Sequence, residues 1–460
     1  MKCKPQFSYH SGTQSYRFAQ IDVAPFERAL GYELGPFPMS LFSAKDQLMY
    51  EADKAAFAQS SLKQNASLVD ISQFSVGYLV VDGGWLLRQC SWDKGATWRT
   101  IGSNYAQYVQ HMGKHAKEIE VHFDGYNSST KDHTHRRRQK QFCHDMVINA
   151  DNIPYTTKDK FLSNGKNKSE LVNFIGDILR SKNISVTCCS DDADTSIVKS
   201  TIDHAKDETV EVRAEDNDIL IMLIHHMSAQ HHPIILFTSK GRYSIREIKD
   251  MLTDSEKQHI LMCHAFTGCD TVSSIYGFSK EKLFSSLTST NLLDDQLSVF
   301  LNAESTEEQI KQSGIEIFQY IYGSLGTPLA KIRLHRYNKQ SKAGVIRPEG
   351  LPPTDSAAAQ HSLRAYLQLQ DWLILQSMSR DPLNYGWIRD NQGYEPVVMT
   401  DPMAPDELLK FISCNCKGSC STQRCSCKKN NVKCIAVCGK RDNSTEQFYA
   451  KKSHPQFFAN

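Results

Sequence analysis

From about Val76 onward the chain alternates short apolar runs with longer amphipathic stretches. The runs are GYLVVD, EIEVHFD, ISVTCC, TVEVRA, DILIMLI and PIILFT, each of strand length. Near-continuous apolarity marks strands buried on both faces, and the amphipathic stretches between them supply the covering helices. The pattern predicts an α/β fold with a mostly parallel sheet flanked by helices. Upstream, residues 1–70 mix aromatic turns such as GPFPMSLF with a helix expected from about Ala44 to Lys63. The stretch from Asp270 to Gly323 reads as helical, and 338–356, rich in Lys, Gly and Pro, reads as a linker. Thr354 or Ser356 is placed to cap a following helix, AAAQHSLRAYLQLQDWLI.

Several of these runs end in acid. Asp82 ends GYLVVD, Asp124 ends EIEVHFD, and SDDAD after ISVTCC supplies Asp191, Asp192 and Asp194. EDND between TVEVRA and DILIMLI supplies Asp216 and Asp218, and Asp270 closes HAFTGCD. Ligands of open parallel sheets bind at the carboxyl ends of the strands, so these side chains are expected to meet in one crevice. A single strand-end Asp is ordinarily a helix cap or turn residue, and Asp191 or Asp192 suits a cap for a helix beginning near Thr195. Five separate segments ending in acid are harder to assign to caps. So many carboxylates repel one another, no Lys or Arg accompanies each, and oxygen-only ligands favour hard cations such as Mg²⁺ or Mn²⁺. Two such ions about 4 Å apart clamp the attacking and leaving oxygens of a phosphodiester.

A basic run, KDHTHRRRQK, follows Asp124 closely and carries Lys131, Arg136, Arg137, Arg138 and Lys140. On a helix Lys131 and Arg138 lie two turns apart on one face, where cations steady a scissile phosphate; the plain alternative is a solvated helix face. Of fourteen cysteines, seven crowd the C-terminal region: Cys414, Cys416, Cys420, Cys425, Cys427, Cys434 and Cys438. In a reducing compartment this crowding reads as a metal site, with about two Zn²⁺ ions sharing thiolates; the scattered cysteines read as small core residues. Seven Lys or Arg and no Asp or Glu lie between Cys414 and Arg441, Lys428 and Lys429 among them, which suits contact with a phosphate backbone. A purely structural zinc clasp is the alternative. His225, His226, His231 and His232 read as structural. Net charge is only +2, so a nucleic-acid surface must be local. No apolar run reaches the roughly 18 residues that span a bilayer, and the N-terminus has no signal-peptide pattern. A protein that is not secreted and makes no membrane contact is expected.

The ordered acids resemble the flap-endonuclease or XPG-type 5′ nucleases, a branch of the PIN-like fold. VVDGG resembles the end of that family's first strand, and FDGYNSSTK its second motif, with Arg138 where the catalytic arginine is expected. Asp192-Ala193-Asp194 is similar to the acid-x-acid motif, AEDND to the fourth, and GCD to the last. The resemblance covers roughly 76–285. It implies metal ligation by Asp82, Asp124, Asp192 and Asp194 for one ion and by Asp216, Asp218 and Asp270 for a second. It also implies catalytic roles for Lys131 and Arg138. The family's following hairpin grips duplex backbone; SIYGFSKEK keeps Gly277 and Lys280 but loses a second glycine. Arg136, Arg137, Lys280, Lys428 and Lys429 are the expected nucleic-acid contacts. The cysteine spacing resembles half of a tesmin-like CXC zinc module. The whole chain also resembles a group of largely uncharacterised animal proteins, some related to mobile elements, through His264–Thr271, Leu351–Tyr366 and Asn384–Trp387.

The resulting expectation is an N-terminal extension (1–70), a PIN-like core (71–285), a helical continuation and linker (286–410), a cysteine-rich zinc module (411–443) and a tail (444–460). The expected activity is metal-dependent, structure-selective hydrolysis of nucleic acid, DNA before RNA, in the nucleus before the cytoplasm. The rival is a non-catalytic scaffold binding DNA or chromatin through the zinc module. The patterns carry no signal for oligomeric state.

Overall fold

The computed structural model describes residues 28–125, 130–131, 143–390, 393–405, 414, 416 and 424–425, with the backbone of 9–10 and 13–14. Five of the six apolar runs form strands: β1 (Val76–Asp82), β2 (Ala116–Phe123), β3 (Ser185–Cys188), β4 (Thr209–Arg213) and β5 (Ile234–Thr238). These pair in parallel, and β6 (Gly241–Ser244) returns antiparallel along β5. The order across the sheet is β3-β2-β1-β4-β5-β6. The chain winds outward from β1 in one direction and then resumes on its other side at β4. That reversal opens a crevice beyond the carboxyl ends of β1 and β4.

Two short helices, α1 (Lys54–Phe57) and α2 (Gly83–Gln89), lead into and out of β1. Successive strand residues face opposite sides of the sheet. Leu79, Val81, Val121 and Phe123 pack with α3 (Trp98–Met112) and α4 (Gly165–Arg180). Val80, Val210, Val212 and Leu236 pack with α5 (Asp194–His204), α6 (Asn217–His226) and α7 (Asp254–Phe266). The same second core takes in α8 (Lys280–Thr288), α9 (Glu307–Ile321) and α10 (Asp355–Ile374) through Phe284, Phe318, Leu363 and Trp372. The mostly parallel, helix-flanked α/β arrangement is as the apolar pattern predicted. Among the described residues no helix is long and apolar enough to cross a membrane.

Three local expectations are corrected. DILIMLI is not a strand but the body of α6, where Ile219 through Ile224 are all fully buried. Packing against α5 and α7 leaves α6 no polar face, so its sequence carries no helical period. The helix expected over 44–63 begins only at Lys54 and continues as a π-helical turn over Ala58–Leu62. Gln47 takes a left-handed backbone (φ 61), which stops a helix there, and Asp53 caps the later start through the Ala56 N–H. The first part of the expected linker belongs to a helix, Leu329–Lys342. Thr354, not Ser356, is the N-cap residue of α10, with extended backbone and no side-chain capping hydrogen bond.

Candidate metal centre

Each acid sits where a strand or helix fixes its backbone. Asp82 ends β1, and its carboxylate accepts from Trp85 N–H at 3.1 Å, capping α2. Asp124 follows β2 and accepts from Ala193 N–H at 3.2 Å, tying the exit of β2 to the start of α5. Asp194 opens α5, whose cap residue Ala193 uses no side chain, so Asp192 is released from capping. Asp216 caps α6 through Asp218 N–H at 2.9 Å, and Asp218 lies in that helix's first turn. Capping and site-building are therefore not rivals at Asp82 and Asp216; the cap aims the carboxylate. Asp270 follows α7 after a turn at Gly268, whose φ of +118 excludes an ordinary side chain.

The seven carboxylates share one groove. Oxygens of Asp194, Asp216 and Asp218 all lie within 4.8 Å of one another. Asp82 and Asp124 flank Gly84 closely enough that a Cβ there would lie 3.2 and 3.3 Å from their oxygens. Asp192 and Asp270 join through shared lysines. Lys131 Nζ meets Asp192 at 2.6 Å and Asp194 at 2.9 Å. Lys54 Nζ meets Asp218 at 2.8 Å and Asp270 at 2.9 Å. Lys168 of α4 stands 3.7 Å from Asp124.

The electrostatics divide the groove. Burial, reinforced by the charge of Asp124, lifts the Asp82 carboxyl to about 7. Burial and the neighbouring Asp218 lift Asp216 to about 6. Burial and Asp192 carry Asp194 well above the usual range, against the pull of Lys131. Asp218 differs. Burial pushes it up, but Lys54 and the hydrogen bond from His264 outweigh that and hold it well below the usual range. His264 Nε2 lies 2.7 Å from Asp218, and burial drops the imidazole to about 4, so it donates as a neutral ring. Among the described residues no cation lies within ion-pair distance of Asp82 or Asp216, and Lys54 and Lys131 pull on Asp216 only from farther off, whereas Asp218 has its charge met.

Lys54 and His264 are the residues that reading the sequence missed. Lys54 lies 164 residues before Asp218, outside the stretch of resemblance, and no local signal marks it. His264 opens the HAFTGCD stretch, directly after the apolar run Ile260–Cys263. The sequence offers no Lys or Arg for each acid; in the fold Lys54 and Lys131 between them pair four of the seven. The assignment of Lys280 to nucleic acid is corrected. It is 5% exposed, and its amino group donates to His264 O, Thr267 Oγ1 and Gly268 O, so no phosphate can reach it. Arg136, Arg137, Arg138, Lys428 and Lys429 lie outside the described residues.

An all-carboxylate pocket with raised acids fits a hard divalent cation, because such an ion supplies the missing positive charge. A second group, Cys414, Cys416 and Cys425, places its sulfurs within 4.8 Å of one another, with Cys414 and Cys425 buried. Cys90, Cys143, Cys188, Cys189, Cys263 and Cys269 are free thiols. Three sulfurs this close could hold a metal ion. Cys420, Cys427, Cys434 and Cys438 lie outside the described residues.

No family model matches the chain, and no curated protein matches it. Among solved structures it is similar to the bacteriophage T5 D15 flap endonuclease in complex with DNA and metal ions. That match has 12% identity and a TM-score of 0.35, covering 65% of this chain and 98% of that one. It is similar to the catalytic core of Rad2 in complex with DNA substrate at 10% identity and a TM-score of 0.36, covering 68% and 92%. It is also similar to the eukaryotic junction-resolving enzyme GEN-1 at 11% identity and a TM-score of 0.36, covering 67% and 63%.

Proposed function

We propose that the chain is a metal-dependent nuclease that hydrolyses phosphodiesters of nucleic acid, DNA before RNA, in the groove at the carboxyl ends of β1, β2 and β4. One observation carries this reading: carboxylates from five chain segments converge there with oxygens of three within 4.8 Å. Such crowding costs stability unless a cation is held, and a groove of carboxylates suits Mg²⁺ or Mn²⁺. Asp82, Asp124, Asp192, Asp194 and Asp216 would hold one ion, and Asp218 and Asp270, with Asp216, frame the position of a second. When bound, a divalent ion stabilises charge on the attacking and leaving oxygens of a phosphodiester. The chain's own groups do the rest. The caps on α2 and α6 hold Asp82 and Asp216 in fixed orientations. His264 locks Asp218 in one rotamer. Lys131, part-buried at the groove, carries the positive charge that would steady a phosphate oxygen, with Arg138 expected beside it.

Cys414, Cys416 and Cys425 would hold Zn²⁺, with the remaining cysteines of the cluster completing the ligand set. The basic residues around them, Lys428 and Lys429 included, would contact the phosphate backbone, which favours DNA and a nuclear site of action. The rival, a non-catalytic DNA-binding scaffold, draws on Lys54 and Lys131, which already pair four of the seven acids.

The deciding experiment offers flap, bubble and hairpin DNA and matched RNA to the full chain with and without Mn²⁺. Cleavage that requires Mn²⁺ and is lost in Asp216→Ala/Asp218→Ala is expected. Cleavage surviving in that double variant removes the assignment. Tight zinc-dependent DNA binding with no Mn²⁺ uptake selects the scaffold.

A further inference from the structure

We propose that Lys54 is a built-in counter-ion occupying the second cation position, so that the groove takes up a single divalent ion on its Asp82–Asp124–Asp194–Asp216 side. This rests on the metal-dependent reading of the groove and narrows it to one ion.

Lys54 is no wandering surface lysine. Its amino group lies between Asp218 and Asp270, and its side chain is 15% exposed. Three features hold it there. Asp53 caps α1 through Ala56 N–H at 2.8 Å. Phe57, one turn on, is buried against Phe284 at 5.2 Å and His264 at 6.2 Å between ring centres. The strand of chain before α1 is stitched to the loop after Asp270: Ser274 N–H donates to Tyr50 O at 2.9 Å and Ser274 Oγ to Glu51 O at 3.0 Å. The N-terminal segment thus delivers a cation to the groove and fixes its depth.

With Lys54 in place, both oxygens of Asp218 are engaged, Oδ2 by Lys54 and Oδ1 by His264. A divalent ion bound to Asp218 and Asp270 would stand against an ammonium group sharing the same carboxylates, with like charges in a desolvated site. On the opposite side Lys131 pairs Asp192 and Asp194 and Lys168 stands 3.7 Å from Asp124, but among the described residues no cation lies within ion-pair distance of Asp82 or Asp216, so those two carboxylates are the ones left to a divalent ion. An ammonium fixed by packing offsets one of the two negative charges of Asp218 and Asp270 without any ion being taken from solution.

The test is the number of Mn²⁺ ions bound per full-length, zinc-loaded chain, read by calorimetry and by the electron paramagnetic resonance of bound Mn²⁺. Wild type and Lys54→Arg are expected to bind one. Lys54→Met is expected to bind two, with a spin-coupled Mn²⁺ pair. Two ions in wild type, or a count that stays at one in folded Lys54→Met, overturns the role of Lys54 and leaves the nuclease reading standing. No Mn²⁺ on either wild type or Lys54→Met removes the metal-dependent reading and this inference together. The wild-type count decides even if Lys54→Met does not fold.

Discussion

Replacing Asp82 by Asn should make the protein more stable while removing its function. The Asp82 carboxyl stands at about 7 instead of 3.8, so above neutral pH the folded chain holds a charge it disfavours. At about 1.4 kcal/mol per pH unit this is a penalty of at most about 4 kcal/mol. Asp82 is only part-buried, and solvent screening reduces the expected value to about 2 kcal/mol. An Asn oxygen can still accept from Trp85 N–H, so the cap on α2 survives and only the charge is lost. The sign in pH follows from the raised folded value. The penalty is absent below the unfolded value near 4, grows as pH rises and is complete above about 7, so the gain of Asp82→Asn must do the same. Urea denaturation at pH 4.5, 6 and 8 without added divalent ion measures it. Excess Mn²⁺ should reverse the order: wild type gains about 2.7 kcal/mol at a hundredfold excess over Kd, and the variant gains less. A variant no more stable than wild type at pH 8, or a gain that does not change with pH, refutes the reasoning.

Mn²⁺ affinity, followed by calorimetry, should rise by at least about tenfold from pH 5 to pH 8, because Asp216 (about 6) and Asp82 (about 7) must release protons to bind a cation. Phe57→Ala should cost about 3–5 kcal/mol in urea denaturation by emptying a buried aromatic site, and should free Lys54 from its place in the groove. Gly125→Ala should cost about 1–3 kcal/mol and weaken Mn²⁺ uptake, since its Cβ would lie 2.0 Å from Ser190 O and push apart the chain exits that carry Asp124 and Asp192.

The sequence by itself determined the sheet and the list of acids. Runs such as GYLVVD and PIILFT are too short and too apolar to be surface helices, and a terminal Asp is local information. The parallel alternation then implied that those ends share one side, which is where the groove lies. α6 escaped that logic because burial on all sides erases the period that distinguishes helix from strand. Lys54, His264 and Lys280 escaped it for a different reason. Whether a lysine meets two aspartates, or turns its amino group onto buried carbonyls, depends on contacts between segments far apart in the chain. Lys54 reaches residues 164 and 216 positions away, and Lys280 is spent on the end of α7. Composition and spacing fix which charges exist; only the folded packing decides which of them neutralise one another and which are left to attract an ion.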